Sequence, residues 1–178
     1  MLIQDMTEQE SLDLLLRVGF GRLGCAYKSQ PYIVPTYFAR SGRILYGFAT
    51  FGQKIRWMRA NPLVCVEADE LESQLGWKTV IAFGRYEELS DVSEWESERE
   101  HARALLEERD GWRGSAEITS MHRGGSYEVW YRIHIERLTG FRAILDPVGM
   151  SPASPHSVAS ARSRRWFGRL MRSRSSGR

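Results

Sequence analysis

The chain has 178 residues, enough for one domain with one substantial core. Hydrophobic residues at 42% and charged residues at 26% exclude a chain disordered throughout, and no apolar run approaches the length of a membrane span. The net charge of +3 hides an asymmetry: residues 151–178 hold seven arginines (162, 164, 165, 169, 172, 174 and 178) and no acid. Removing those seven from the 25 basic residues leaves 18 against 22 acids, about −4 for residues 1–150, which argues against nucleic-acid binding by the domain itself. The start, MLIQDMTEQE, is acidic and polar, unlike a signal peptide, so a cytoplasmic location is expected. Cys25 and Cys65 lack the spacing of a metal or redox pair and read as apolar thiols in strands.

In chain order, Thr7 with Glu10 has the form of a capping box, followed by Leu12, Leu15 and Leu16 at helical spacing. Gly19 and Gly21 are read as ending that helix. Residues 22–27 form a short strand, 28–30 a turn and 31–39 (PYIVPTYFA) a second strand. Pro35 cannot donate to a ladder, so it marks an edge, a bulge or a point where a ligand replaces the neighbouring strand. Ser41-Gly42 turns the chain into a third strand, 43–48. QKIRWMRA (53–60) reads as a short helix stopped by Asn61-Pro62. Strands follow at 63–69 and 77–88, then an amphipathic helix over 92–109, entered at Asp91 and Glu94. After a Gly-rich connection, 111–126, residues 127–138 alternate cleanly, with Val129, Tyr131, Ile133 and Ile135 on one face and Trp130 as the exception.

Six strands joined by hairpins, with peripheral helices, predict a mainly β fold, an antiparallel sheet or barrel. The domain is placed at residues 1–147. Residues 148–178, rich in Ser and Arg, cannot bury a core and are expected to be disordered.

Chemistry concentrates in residues 45–62, LYGFATFGQKIRWMRANP, where a strand runs through a loop with Gly47, Thr50 and Gly52 into a helix carrying Lys54 in its first turn. A helix start offers N–H groups and a favourable dipole to an anion, Thr50 a hydroxyl and Lys54 the counter-charge. The spacing of Gly47 and Gly52 is like a P-loop, but Gln53 separates glycine from lysine and no Ser or Thr follows Lys54. Two readings stay open on these residues: a phosphate site, or an ordinary strand–turn–helix with a solvated lysine.

GRLGC (21–25), PYIVPTYFA (31–39), LYGFATFGQK (45–54), RANPLVCVEADE (59–70) and WKTVIAFGRYEEL (77–89) stand in the order and spacing of the pyridoxamine 5'-phosphate oxidase-like FMN-binding split-barrel flavoproteins. The chain resembles the nitroimidazole-resistance-type branch over roughly residues 5–145. The resemblance implies a six-stranded antiparallel split β-barrel and an FMN-dependent oxidoreductase, with the flavin at a homodimer interface. It further implies that Ile33, Val34, Pro35 and Thr36 line the isoalloxazine, with backbone hydrogen bonds to its edge. Phe48, Ala49 and Thr50 would lie beneath the ribityl chain and phosphate, and Gln53 and Lys54 would grip the phosphate. Trp77 and Lys78 would approach the partner subunit's flavin. The Arg-x-His arrangement of true pyridoxamine phosphate oxidases is not evident near Leu138–Arg142, so vitamin B6 chemistry is not expected and the small-molecule substrate stays unnamed. No catalytic residue is assigned, because flavin chemistry needs no protein acid or base.

None of His101, His122, His134 and His156 pairs with another at ligand spacing, so no metal site is expected. Some split-barrel relatives bind haem, for which His122 would be the candidate ligand; a flavin- or haem-binding module without turnover is the alternative function. In the tail, RSRRWFGRLMR (162–172) could lie against an anionic surface as a basic amphipathic helix, or remain a solubilising tail.

Overall fold

The fold was analysed in a computed structural model that describes residues 2–72, 76–109 and 128–144. Seven antiparallel strands are present among them: β1 (Leu2–Asp5), β2 (Phe20–Tyr27), β3 (Gln30–Ser41), β4 (Ile44–Thr50), β5 (Leu63–Leu71), β6 (Trp77–Glu88) and β7 (Glu128–Ile144). Their order is β1-β7-β4-β3-β2-β5-β6, and β6 pairs back onto β7, so six strands close into a ring and β1 hangs outside it on the end of β7. The six predicted strands are all found; β1 is the addition. β2 starts at Phe20 rather than 22, and β7 runs on to Ile144 rather than stopping at 138.

Among the described residues three α-helices accompany the ring: α1 (Glu8–Val18), α2 (Gln53–Ala60) and α3 (Glu96–Glu107). The capping box is formed, with Glu10 N–H donating to Thr7 Oγ1 (3.2 Å) and Thr7 N–H to Glu10 Oε2 (2.8 Å). Gly19 alone ends α1, in the left-handed conformation (φ 62°) that glycine tolerates best; Gly21 lies within β2. The segment predicted as one helix from 92 is a short 3-10 turn (Ser93–Trp95) followed by α3. The connection 111–126 and the segment from 148 onward lie outside the described residues.

Alternation along the strands decides what is inside. The ring interior takes Leu23, Phe38, Leu45, Val66, Val80, Tyr131 and Ile133, among others, while α1 adds Leu14 and Leu15 and α2 adds Ile55 and Met58. A second, smaller core lies outside the ring, where α3 puts Ala102 and Leu106 over Tyr46 and Trp130. That covering helix explains why Trp130 breaks the alternation of β7.

The barrel is split. β3 and β4 pair only from Phe38↔Gly47 to Ser41↔Ile44, after which they diverge. Residues 30–37 of β3 keep β2 on one side and have no ladder on the other, while residues 48–50 of β4 pair with β7 alone. α2 follows at this opening, its Trp57 meeting Tyr32 edge-on with ring centres 5.4 Å apart.

Candidate functional site

The open edge of β3 has a defined polarity. Lys28 and Ser29, both at positive φ, form a two-residue turn that pairs Tyr27 with Gln30. The phase this sets directs the even residues toward β2, in agreement with Phe38 N–H donating to Gly19 O (2.9 Å). Residues 31, 33, 35 and 37 therefore present their main-chain groups to the opening. Two of them, Pro31 and Pro35, have no N–H, so the edge presents four carbonyls, of which Pro31 O already accepts from Gln30 Nε2 and Tyr37 O from Thr36 Oγ1 (both 3.2 Å), and only the N–H groups of Ile33 and Tyr37. Both prolines thus fall where no ladder donor is needed, which is the edge position that Pro35 predicts.

Across the opening lies the corner from β4 into α2. Gly52 caps α2 without a side-chain hydrogen bond, and no acid lies in the first turn, so the helix start keeps donors to offer. Lys54 is half-buried and has no hydrogen-bond or ion-pair partner among the described residues. Burial pulls its ammonium below the ordinary lysine value of 10.5, with the nearby Cys25 thiol acting the other way. An ammonium stripped of part of its water and left without a counter-ion favours an anion, and an uncapped helix start beside it points the same way.

The sequence-predicted residues divide into four groups. Ile33, Val34, Pro35 and Thr36 line the open edge, and Thr50, Gln53 and Lys54 form the opposing corner. Ala49 points into the barrel, while Phe48 turns outward onto Trp130 (ring centres 5.1 Å apart) beneath α3. Trp77 and Lys78 begin β6, whereas its far end, Glu88, is paired with Arg59 of α2 (2.6 Å). Within one chain they therefore stand apart from the other residues. Lys78 is held there by Glu72 and by Glu70 (3.6 Å), which raise its pKa. Arg142 is likewise engaged, with Glu10 (2.6 Å) and Gln4 (3.3 Å), tying β7 to α1 and β1.

Sequence reading missed the interior side of the opening. Thr36 is buried (6% exposed), and its hydroxyl lies 3.1 Å from the hydroxyl of Tyr131, itself 2% exposed. Gly47 is inside β4, not in the loop: a Cβ there would stand 2.4 Å from the Tyr131 ring, so the glycine makes room for the tyrosine rather than cradling a phosphate. Beyond Tyr131, Tyr86 packs with ring centres 5.5 Å apart and donates its hydroxyl to Glu88 (3.0 Å).

Outside the sheet, β2, β3, β5 and β6 form an apolar groove of about 460 Å³ lined by Gly24, Pro31, Ile33, Leu63, Cys65 and Phe83, among others. Ile33 is 69% exposed and Leu63 53%. Cys65 lies across from Gly24 on this face, whereas Cys25 faces the core; both thiols are free. His134 bonds Glu87 (2.8 Å), His101 packs on Tyr46, and His122 and His156 lie outside the described residues. Among the described residues no three His, Cys, Asp or Glu side chains are grouped to hold a metal, and no helix is long and apolar enough to cross a membrane.

A ring of six antiparallel strands, split between β3 and β4 with a helix start at the opening, defines a split-barrel protein. The family description "Pyridoxamine 5'-phosphate oxidase" matches residues 7–142, and the chain belongs to that family. An uncharacterized protein of Rhizobium meliloti (strain 1021) is 36% identical over 143 residues, 79% of this chain and 95% of that protein. The crystal structure of a FAD-binding protein from Mesorhizobium loti is 38% identical, with a TM-score of 0.70, covering 82% of this chain and 99% of the other. A candidate 5-nitroimidazole antibiotic resistance protein from Bacteroides thetaiotaomicron shares the fold at 16% identity and a TM-score of 0.56, covering 80% of this chain and 89% of the other.

Proposed function

We propose that the chain is a cytoplasmic flavoprotein that binds FMN at the split of the barrel, as a homodimer, and acts as an oxidoreductase on a small molecule. The observation that carries this reading is Lys54: a half-buried ammonium without a partner among the described residues, beside an uncapped helix start and opposite a strand edge rich in carbonyls. The residues present suit a flavin mononucleotide. Lys54, Gln53 and the first N–H groups of α2 would hold the phosphate, with Thr50 supplying a hydroxyl. The carbonyls of Pro31, Ile33 and Pro35 suit the N–H of a flavin ring, and the N–H of Ile33 suits a ring carbonyl. Bound FMN would supply the electron transfer, and the chain's part is to bind, orient and exclude water.

The dimer rests on the groove. Exposed Ile33 and Leu63 flank its apolar floor, and Pro31 and Ile33 belong both to this face and to the open edge, so a copy covering the groove would also border the site. The family resemblance implies that the second copy's own Trp77 and Lys78 would then approach the site. The relative from Mesorhizobium loti is named for FAD, whose extra nucleotide would have to lie beyond Lys54.

The test is the absorption spectrum of the purified protein, with identification of any chromophore released by heat. A two-banded flavin spectrum and released FMN are expected; released FAD would correct the nucleotide, and a single sharp haem band would overturn the flavin. Lys54→Ala is expected to weaken FMN binding by about 1.5–3 kcal/mol, the worth of a charged hydrogen bond, and an unchanged Kd would misplace the phosphate. With reductant and a panel of acceptors, a bound flavin that no acceptor reoxidises would make the protein a carrier rather than an enzyme.

A further inference from the structure

We infer that Tyr131 is a positioning residue for the ligand-binding edge of β3, acting through Thr36; this deepens the flavin reading and rests on it. An edge that recognises a ligand by its main chain is held by a ladder on one side only, so its depth in the barrel needs another constraint. Among the described residues, the bond from Thr36 to Tyr131 is the one side-chain-to-side-chain hydrogen bond made by residues 31–37. Its direction follows from proton counting. The Thr36 hydroxyl has one proton and donates it to the carbonyl of Tyr37 (3.2 Å), so the Tyr131 hydroxyl donates to Thr36 Oγ1. The relay ends on Tyr37, one of the residues whose main chain faces the opening, at the last position before β4 takes over the pairing.

Tyr131 is itself fixed. Its ring and hydroxyl lie over Gly47, where no Cβ would fit, and β7 pairs Tyr131 with that same glycine. Behind it, Tyr86 packs at a tilt and donates to Glu88, and Glu88 pairs with Arg59 on α2, the helix that carries Lys54. One line of side chains, buried at Thr36, Tyr131 and Tyr86 and reaching the surface at Glu88 and Arg59, thus connects the carbonyl edge with the anion-facing helix. Burial raises the Tyr131 pKa, which keeps the hydroxyl a donor.

A double-mutant cycle read by FMN titration of the full chain tests this. Tyr131→Phe removes the donor and keeps the ring; Thr36→Val removes the relay and keeps the shape. Each is expected to raise the FMN Kd about three- to tenfold, the worth of one neutral hydrogen bond, with the double variant no weaker than either single. The visible bands of the bound flavin should shift alike in both single variants, and Thr36→Ser, which keeps the hydroxyl, should restore the wild-type affinity and spectrum. Variants that lose thermal stability but bind FMN with wild-type Kd and spectrum would reduce the pair to core packing and overturn the inference, as would losses that multiply in the double variant. If Tyr131→Phe does not fold, Thr36→Val against Thr36→Ser decides alone: equal Kd values overturn the inference. Wild-type protein that takes up no flavin ends the flavin reading and this inference together, whereas wild-type binding without coupling ends this inference only.

Discussion

Lys54 carries a consequence that pH exposes. Burial lowers its pKa from 10.5, and a bound phosphate would raise it again, so binding between those two values takes up a proton. FMN affinity is therefore expected to fall, by up to about tenfold per pH unit, as pH rises through the lowered pKa of the free protein. Lys54→Ala should remove that alkaline limb; a wild-type Kd that tracks the variant's across alkaline pH would remove Lys54 from the site. The sequence exposes this lysine because strand, loop and helix are contiguous around it. It misleads at Gly47, whose spacing to Gly52 imitates a phosphate loop, because the reason for that glycine is a tyrosine far along the chain. The bond from Thr36 to Tyr131 spans 95 residues, and no local pattern in either segment announces it.

Among the elements, α3 is held to the outside of the barrel by charge as well as by apolar packing. Arg132 of β7 donates to Glu98 of α3 and to Glu87 of β6 (both 2.7 Å), its guanidinium stacks on Trp95 (4.9 Å), and Tyr46 also donates to Glu98 (2.7 Å). Glu98 is held below the ordinary 4.5 by Tyr46 first and then Arg132, and Glu87 by His134 first and then Arg132. Since both carboxyl pKa values are lowered by folding, their stabilisation is complete above about 4.5 and is lost as pH falls through the folded values. Glu98→Gln is expected to cost about 1 kcal/mol at pH 7, discounted for partial exposure, with a smaller difference from wild type in urea unfolding well below pH 4. A constant difference across that range would mean the packing of α3, not the ion pairs, holds the helix. The amphipathic repeat makes α3 legible in the sequence. Its start is not, because a 3-10 turn occupies the positions of the predicted cap, and β1 escapes notice because four residues are too few for a period to show.

At the scale of the whole molecule, the groove on β2, β3, β5 and β6 is the surface on which the proposed dimer depends. Ile33→Asp is expected to convert the protein to a monomer in sedimentation experiments and to release flavin with it; a dimer that survives would move the interface elsewhere. The fold class was readable because hairpin spacing and alternation are local properties, while ring closure and the split depend on which strands meet. That closure has a consequence for biogenesis. β7 pairs with β1, β4 and β6, yet it is the last of the described strands to leave a ribosome. Until it emerges, β4 and β6 each lack the partner that closes the ring, and the interior is capped only by helices without a complete wall. The ring is thus completed only after β4 and β6 have both been made, through contacts of long sequence separation that are slow to form. A nascent chain of this kind spends its synthesis as an open sheet with two sticky margins, and its dependence on chaperones should be greatest in that interval.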